Sequence, residues 1–138
     1  ARKVEHLVVG GYAVAWHGYP RYTGDLDLFI KPDIDNAKRL LLALEDFGFQ
    51  GLELSAEDLL DPSALVSLGY PPERVDFVCD IDEVSWDEAW KGRSQGDFAG
   101  EPVFFIGLDE LIKNKLASSR IQDKADADIL RRARRVKT

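Results

Sequence analysis

Apolar residues fall in short bursts along the chain, broken by glycine, proline and acidic residues, and the spacing within each burst sets the expected element. Val4-Glu5-His6-Leu7-Val8-Val9 predicts a buried strand, closed by Gly10-Gly11. A short helix is expected from Tyr12 to His17, ended by Gly18 and Pro20. Residues 25–31 alternate apolar and polar side chains and predict a second strand. Asp33 stands in position to cap a helix reaching about Phe47, with Ile34, Ala37, Leu41 and Leu44 on one face and Gly48 as its stop. Residues 64–70 and 74–81 predict a hairpin across Pro71-Pro72-Glu73. Ser85 is expected to cap a short helix through Trp86 and Trp90, and residues 103–106 to form a further strand. Helices over about 109–119 and 122–135 follow, the first with Leu108, Leu111, Ile112 and Leu116 as its apolar face. One short helix joins the first two strands and a hairpin sits mid-chain, a pattern that favours a mixed sheet over a doubly wound parallel one. The expected class is α/β (α+β). With no linker, repeat or low-complexity stretch, residues 1–138 are expected to form one domain.

Composition narrows the setting. The chain is 45% hydrophobic and 31% charged, which supports a folded core without disulfides. Its single cysteine, Cys79, has no partner for an internal disulfide. No basic-then-apolar leader and no run of membrane-spanning length is visible, so a cytoplasmic protein away from the membrane is expected. The net charge of −7 disfavours broad nucleic-acid binding. That charge is uneven: Arg131, Arg132, Arg134, Arg135 and Lys137 end the chain without an acid, leaving −12 on the first 130 residues. A solvated helix end whose cations complement the helix dipole is the favoured reading of this tail, and an RNA or partner contact is the sharper one.

The chemistry concentrates in Gly10-Gly11 and, after thirteen intervening residues, Asp25-Leu26-Asp27. Side chains two apart on a strand share a face, so both acids point the same way. Close like charges raise each other's pKa and favour a cation between them. Hard divalent ions such as Mg²⁺ take oxygen ligands of this kind. Backbone amides at Gly10 and Gly11, where a strand gives way to a helix, would form an anion cradle. Arg21 and Thr23 stand close before the acids and could meet phosphate. A third carboxylate is expected from Asp76, an acid inside the otherwise apolar Val75-Asp76-Phe77-Val78. A buried carboxylate needs a partner or a metal, and this one could also take the proton of an attacking hydroxyl. Asp80 and Asp82, at the strand end, read as solvated. The plain alternative for Asp25 and Asp27 is an incidental pair on a solvent-facing strand.

The run Gly10-Gly11-Tyr12-Ala13, His17-Gly18, Arg21-Tyr22-Thr23, Asp25-Leu26-Asp27 resembles small bacterial nucleotidyltransferases of the DNA-polymerase-β-like superfamily. It is most similar to those grouped with abortive-infection toxins of the AbiEii type. Leu111-Ile112-x-x-Lys115, Arg120-x-x-Asp123-x-x-Asp126 and Leu130 extend the resemblance, which spans Val8 to Leu130. It implies a mixed-sheet nucleotidyltransferase fold, two Mg²⁺ ions and a nucleoside triphosphate such as ATP as donor. Asp25, Asp27 and Asp76 would be the catalytic and metal-binding residues, and Gly10, Gly11, Arg21, Thr23 and Lys115 the nucleotide contacts. Taken without the resemblance, Lys115 reads as an exposed helix lysine. The chain departs from the pattern at Gly11, where serine is commoner, and at Ile121 and Gln122, where a proline and a basic residue are frequent. The large C-terminal domain that binds acceptors in longer relatives is not expected within these residues. Asp123 and Asp126 read as partners of Arg120 or nearby cations. His17 reads as a packed helix-end residue, His6 and Cys79 as core or edge, and Trp16, Trp86 and Trp90 as packing.

Other readings of Asp-x-Asp fit less well. Haloacid-dehalogenase-type phosphatases place it at the end of a first strand, followed by Thr or Val. An EF-hand needs alternating oxygen ligands around a central glycine, and no P-loop motif is present. The rival of another class is a non-catalytic nucleotide-binding or interaction module that keeps the same fold. The acceptor is left open among RNA, protein and small molecule. So short a chain would complete its cleft with a second copy or an antitoxin-like partner, or act on a macromolecule that brings its own surface.

Overall fold

In the computed structural model, residues 3–18, 25–46, 48, 54–63, 65–69, 74–98, 100–117 and 121–137 are described, without the side chains of 98, 122 and 133–137. Among them lie strands β1 (His6–Val9), β2 (Leu26–Ile30), β3 (Val66–Leu68), β4 (Val75–Val78), β5 (Ser94–Phe98) and β6 (Glu101–Phe105). The helices are α1 (Gly10–Trp16), α2 (Ile34–Asp46), α3 (Ala56–Leu59), α4 (Trp86–Lys91), α5 (Leu108–Ala117) and α6 (Ile121–Lys137). The strands form a mixed sheet in the order β3-β4-β2-β1-β6-β5. β2 runs antiparallel to β1 and parallel to β4, β1 runs parallel to β6, and the outer pairs β3–β4 and β5–β6 are antiparallel. The mixed sheet expected from the short first crossover and the mid-chain hairpin is present.

Both faces of the sheet are covered, which is why β2 is apolar at consecutive positions near its end. Phe29 belongs to a cluster with Leu7, Val14, Trp86, Leu111 and Leu130. Its neighbour Ile30 belongs to a second cluster with Ala37, Leu40, Leu44 and Phe77. The first draws in α1, α4, α5 and α6, the second α2 and α3. Trp86 and Trp90 stack at 5.3 Å, with Phe29 edge-on to Trp86 and Phe104 edge-on to Trp90, so these tryptophans are packing residues. Trp16 stacks on Phe105 with ring centroids 4.5 Å apart.

Several sequence expectations are corrected. α1 starts at Gly10, two residues before Tyr12. In α2 the buried stripe is Asn36, Ala37, Leu40 and Leu44; Ile34 is exposed and Leu41 only partly covered. In α5, Lys115 lies on the buried face and Leu116 is exposed, the reverse of the expectation from apolar spacing. β5 and α3 were absent from that pattern. β5, Ser94-Gln95-Gly96-Asp97-Phe98, is a polar edge strand held by pairing with β6, and a side chain at Gly96 would strike the Trp16 indole. α3 starts from a capping box in which Ser55 and Asp58 bond each other's backbone. Among the described residues, no helix is long and apolar enough to cross a membrane. In the basic tail, Arg131 and Arg132 are exposed on α6.

Asn36 fastens α2 to the sheet. Fully buried, it accepts from Glu5 N–H at 2.8 Å and donates to the Glu5 and Lys31 carbonyls at 3.0 and 3.1 Å. Its own N–H is capped by Asp33 Oδ1 at 2.7 Å, the capping role expected of that acid. Replacing Asn36 with Leu removes its three hydrogen bonds to backbone groups, which stay in place. At roughly 1 kcal/mol each, denaturant unfolding should show a loss of about 3 kcal/mol.

Candidate functional site

The site is a row running across the sheet. In register, β3 Ser67 faces β4 Asp76, Asp76 faces β2 Asp27, and Asp27 faces β1 Val9. Continuing the parallel β2–β4 register one residue back sets Asp25 beside Arg74, where Leu26 N–H also bonds the Arg74 carbonyl at 3.0 Å. The strands thus set Asp-x-Asp against Arg-x-Asp on one face. This face is the one that buries Phe29 two residues on, so the acids lie where the core opens, not on a solvated strand.

Each acid is held differently. Asp76 is only 5% exposed. Its Oδ1 accepts from the Ser67 hydroxyl at 2.6 Å and lies 3.2 Å from Arg74 Nε. Asp25 Oδ2 accepts from Arg74 Nη2 at 2.8 Å. Asp27 is pushed up to about 6 by burial first, then by the Asp76 charge and a hydrogen bond with Asp76, and then by Asp25, with Lys115 opposing. The expectation that paired carboxylates raise each other's pKa therefore holds at Asp27, with burial the largest cause.

Gly10 closes the other side. Its φ of +67° is a left-handed conformation that favours glycine, and a Cβ there would fall on the Asp27 carboxylate. The sequence thus places glycine where the chain turns from β1 into α1 directly against the acid. Gly11 follows in the first turn, and Val9 supplies no side-chain cap to the helix amides. Lys115 is 8% exposed, and its ammonium lies 2.9 Å from Asp123 Oδ1 and 3.7 Å from Asp126 Oδ2. Asp123 and Asp126, expected to hold Arg120 or a nearby cation, hold Lys115, and the exposed-lysine alternative is overturned. Lys115 falls four residues after Leu111 and three after Ile112, on the same helical face.

The structure brings together Asp25, Asp27, Asp76 and Gly10, with Lys115 within electrostatic reach of Asp27. Arg21 and Thr23, and Arg120, lie outside the described residues. His17 is buried, with Nε2 2.7 Å from the Ile106 carbonyl, and belongs to the packing of α1. Sequence reasoning missed Arg74 and Ser67. Strand period alone could have found Arg74, two residues before Asp76 and hence on its face; Ser67 needed the hairpin register. Among the described residues, no group of three or more His, Cys, Asp or Glu side chains is arranged to hold a metal ion as it stands. No protein-family model matches the chain, and no curated protein matches it.

The raised Asp27 pKa has a sign that can be measured. Between its ordinary 3.8 and about 6, the folded protein keeps a proton that the unfolded chain has released. Stability from this group therefore declines as pH rises through that window. The full shift is discounted because the carboxyl is partly exposed and solvent-screened, leaving about 1–2 kcal/mol. Denaturant unfolding at pH 4 to 7 should show this decline in the wild type and its loss in Asp27→Asn, which should be the more stable protein at pH 7.

Proposed function

We propose that this chain is a metal-dependent nucleotidyltransferase that transfers a nucleoside monophosphate from a nucleoside triphosphate to an acceptor hydroxyl. The observation that supports this best is the in-register facing of Asp27 and Asp76, with Gly10 pressed against the same carboxylate. The residues fit a hard divalent cation. All donors are carboxylate oxygens, and the Asp27 carboxyl, pushed up to about 6 by burial first and then by Asp76 and Asp25, stands where a cation would offset the negative charge of its neighbours. Asp25, Asp27 and Asp76 would hold Mg²⁺, with two ions implied by the resemblance to polymerase-β-like enzymes, as is the finer nucleotidyltransferase fold.

When bound, such ions supply polarisation of the acceptor hydroxyl and neutralisation of the leaving phosphates. The chain's own groups do the rest. The Gly10 and Gly11 amides hold the terminal phosphates at the uncapped start of α1, assisted by Arg21 and Thr23. Lys115, fixed by Asp123 and Asp126, offers a positive charge on the same side of the site as Asp27. The acceptor oxygen forms its bond to the α-phosphorus in line with the bond that breaks, and the electron pair of that bond leaves on pyrophosphate. Asp76 takes the acceptor proton on the oxygen that Ser67 does not engage. The acceptor is an RNA, a protein or a small molecule, and the cleft is completed by a second copy, by an antitoxin-like partner or by the surface of a macromolecular acceptor.

A non-catalytic nucleotide-binding module is the second reading. Incubation with labelled triphosphates, Mg²⁺ and a cell extract separates the two: a labelled acceptor supports transfer, and metal-dependent binding without any labelled product supports the module. For either reading, thermal melts should show stabilisation by Mg²⁺ plus triphosphate in the wild type. Asp25→Asn and Asp27→Asn should lose it while staying folded. At a ligand concentration of 100 times Kd the lost stabilisation is about 2.7 kcal/mol, and unchanged stabilisation in both variants would refute the site.

A further inference from the structure

Arg74 stands where the proposed cation would have to act. Its guanidinium contacts Asp25 Oδ2 through Nη2 at 2.8 Å and Asp76 Oδ1 through Nε at 3.2 Å. One side chain thus joins an acid from each of the two facing strands. The β2–β4 register imposes this, because Arg74 lies on the face of Asp76 and beside Asp25. A guanidinium is a permanent, planar cation whose N–H fork suits carboxylate oxygens. It neutralises them without coordinating anything else. The Asp25 lone pair that accepts from Nη2 cannot also serve a divalent ion, Nε stands beside Asp76 as a charge without a hydrogen bond, and the two cations repel at such range. Two of the three carboxylates therefore have an oxygen against the Arg74 guanidinium.

We infer that Arg74 is the resident counter-ion of this centre: it holds Asp25 and Asp76 in position while no metal is bound, and a divalent cation binds by displacing it. The inference rests on the reading of Asp25, Asp27 and Asp76 as a cation site. Cation binding is then an exchange of one positive group for another. The Arg74 side chain is 35% exposed, so it can swing toward solvent without opening the core. Ser67 stays on Asp76 Oδ1 throughout and keeps that carboxylate oriented when the guanidinium leaves. Arg74 is a positioning residue: it acts through the two acids.

Exchange and simple structural support predict opposite signs. A residue that only props the site lowers metal affinity when removed. A competing counter-ion raises it, while the metal-free protein loses stability because its acids lose their neutralising charge. The test is a titration with Mn²⁺ alone, following free Mn²⁺ by electron paramagnetic resonance, together with thermal melts of the metal-free protein. Arg74→Gln should bind Mn²⁺ about tenfold more tightly than the wild type, the equivalent of removing one competing charge contact. Its metal-free melting temperature should fall. Arg74→Lys, which keeps the charge but not the fork, should lie between the two in affinity, and it carries the test if Arg74→Gln does not fold. Equal or weaker Mn²⁺ binding in these variants, with binding lost in Asp27→Asn, overturns the exchange and leaves the cation site standing. Mn²⁺ binding in Asp27→Asn equal to that of the wild type overturns the cation site itself.

Discussion

Two carboxyl groups face each other across the parallel β2–β4 pair, and the residues around them offset the repulsion between them. Asp27 and Asp76 are directly opposite, and Asp76 is almost fully buried. Removal from water is the larger penalty on ionising Asp27, and the charge of Asp76 opposite adds to it. The centre answers in three ways: Asp27 retains its proton well above the ordinary carboxylate range, Ser67 donates to Asp76, and Arg74 lies against Asp76 and Asp25. Lys115 adds positive charge from α5, itself steadied by two aspartates of α6. The glycine at position 10 follows from the same crowding, since the Asp27 carboxylate fills the space a side chain would need.

The sheet explains why these groups meet. Its order puts β2 and β4 at neighbouring central positions, though the sequence separates them by some fifty residues. β1, on the other side of β2, delivers Gly10 to the same row. Phe29 and Ile30 anchor β2 in both hydrophobic clusters, so the acids sit on a strand whose far end is fixed from both faces. A site on such a strand changes shape less readily than one on a loop. Arg74, beside these acids, has a side chain that reaches solvent.

Much of this was legible from spacing. The strand at 25–31 and the acid at 76 inside an apolar run carry two-residue periodicity, and alternation alone put Asp25 and Asp27 on one face. Gly48, Asp33 and Ser85 marked helix ends through their chemistry. What could not be read was whatever depends on register between distant segments. Ser67 is an ordinary strand serine until β3 pairs with β4. Lys115 looks exposed until α6 brings Asp123 and Asp126 beside it, because a lysine on an apolar face is tolerated only with buried partners. β5 has too little apolar alternation to be recognised without β6. Asn36 was hidden by its polarity: its burial is explained by three backbone groups that need partners, not by hydrophobicity.

The central claim is that crowded carboxylates form a cation site and that Asp27 carries the excess proton. The most direct measurement is a carbon-13 NMR titration of the Asp27 side-chain carboxyl, with and without Mg²⁺. Without the ion, Asp27 should titrate at about 6. Mg²⁺ should lower that value, because an ion sharing the carboxylate competes with the proton. An Asp27 that titrates in the ordinary aspartate range and does not respond to Mg²⁺ would contradict the account.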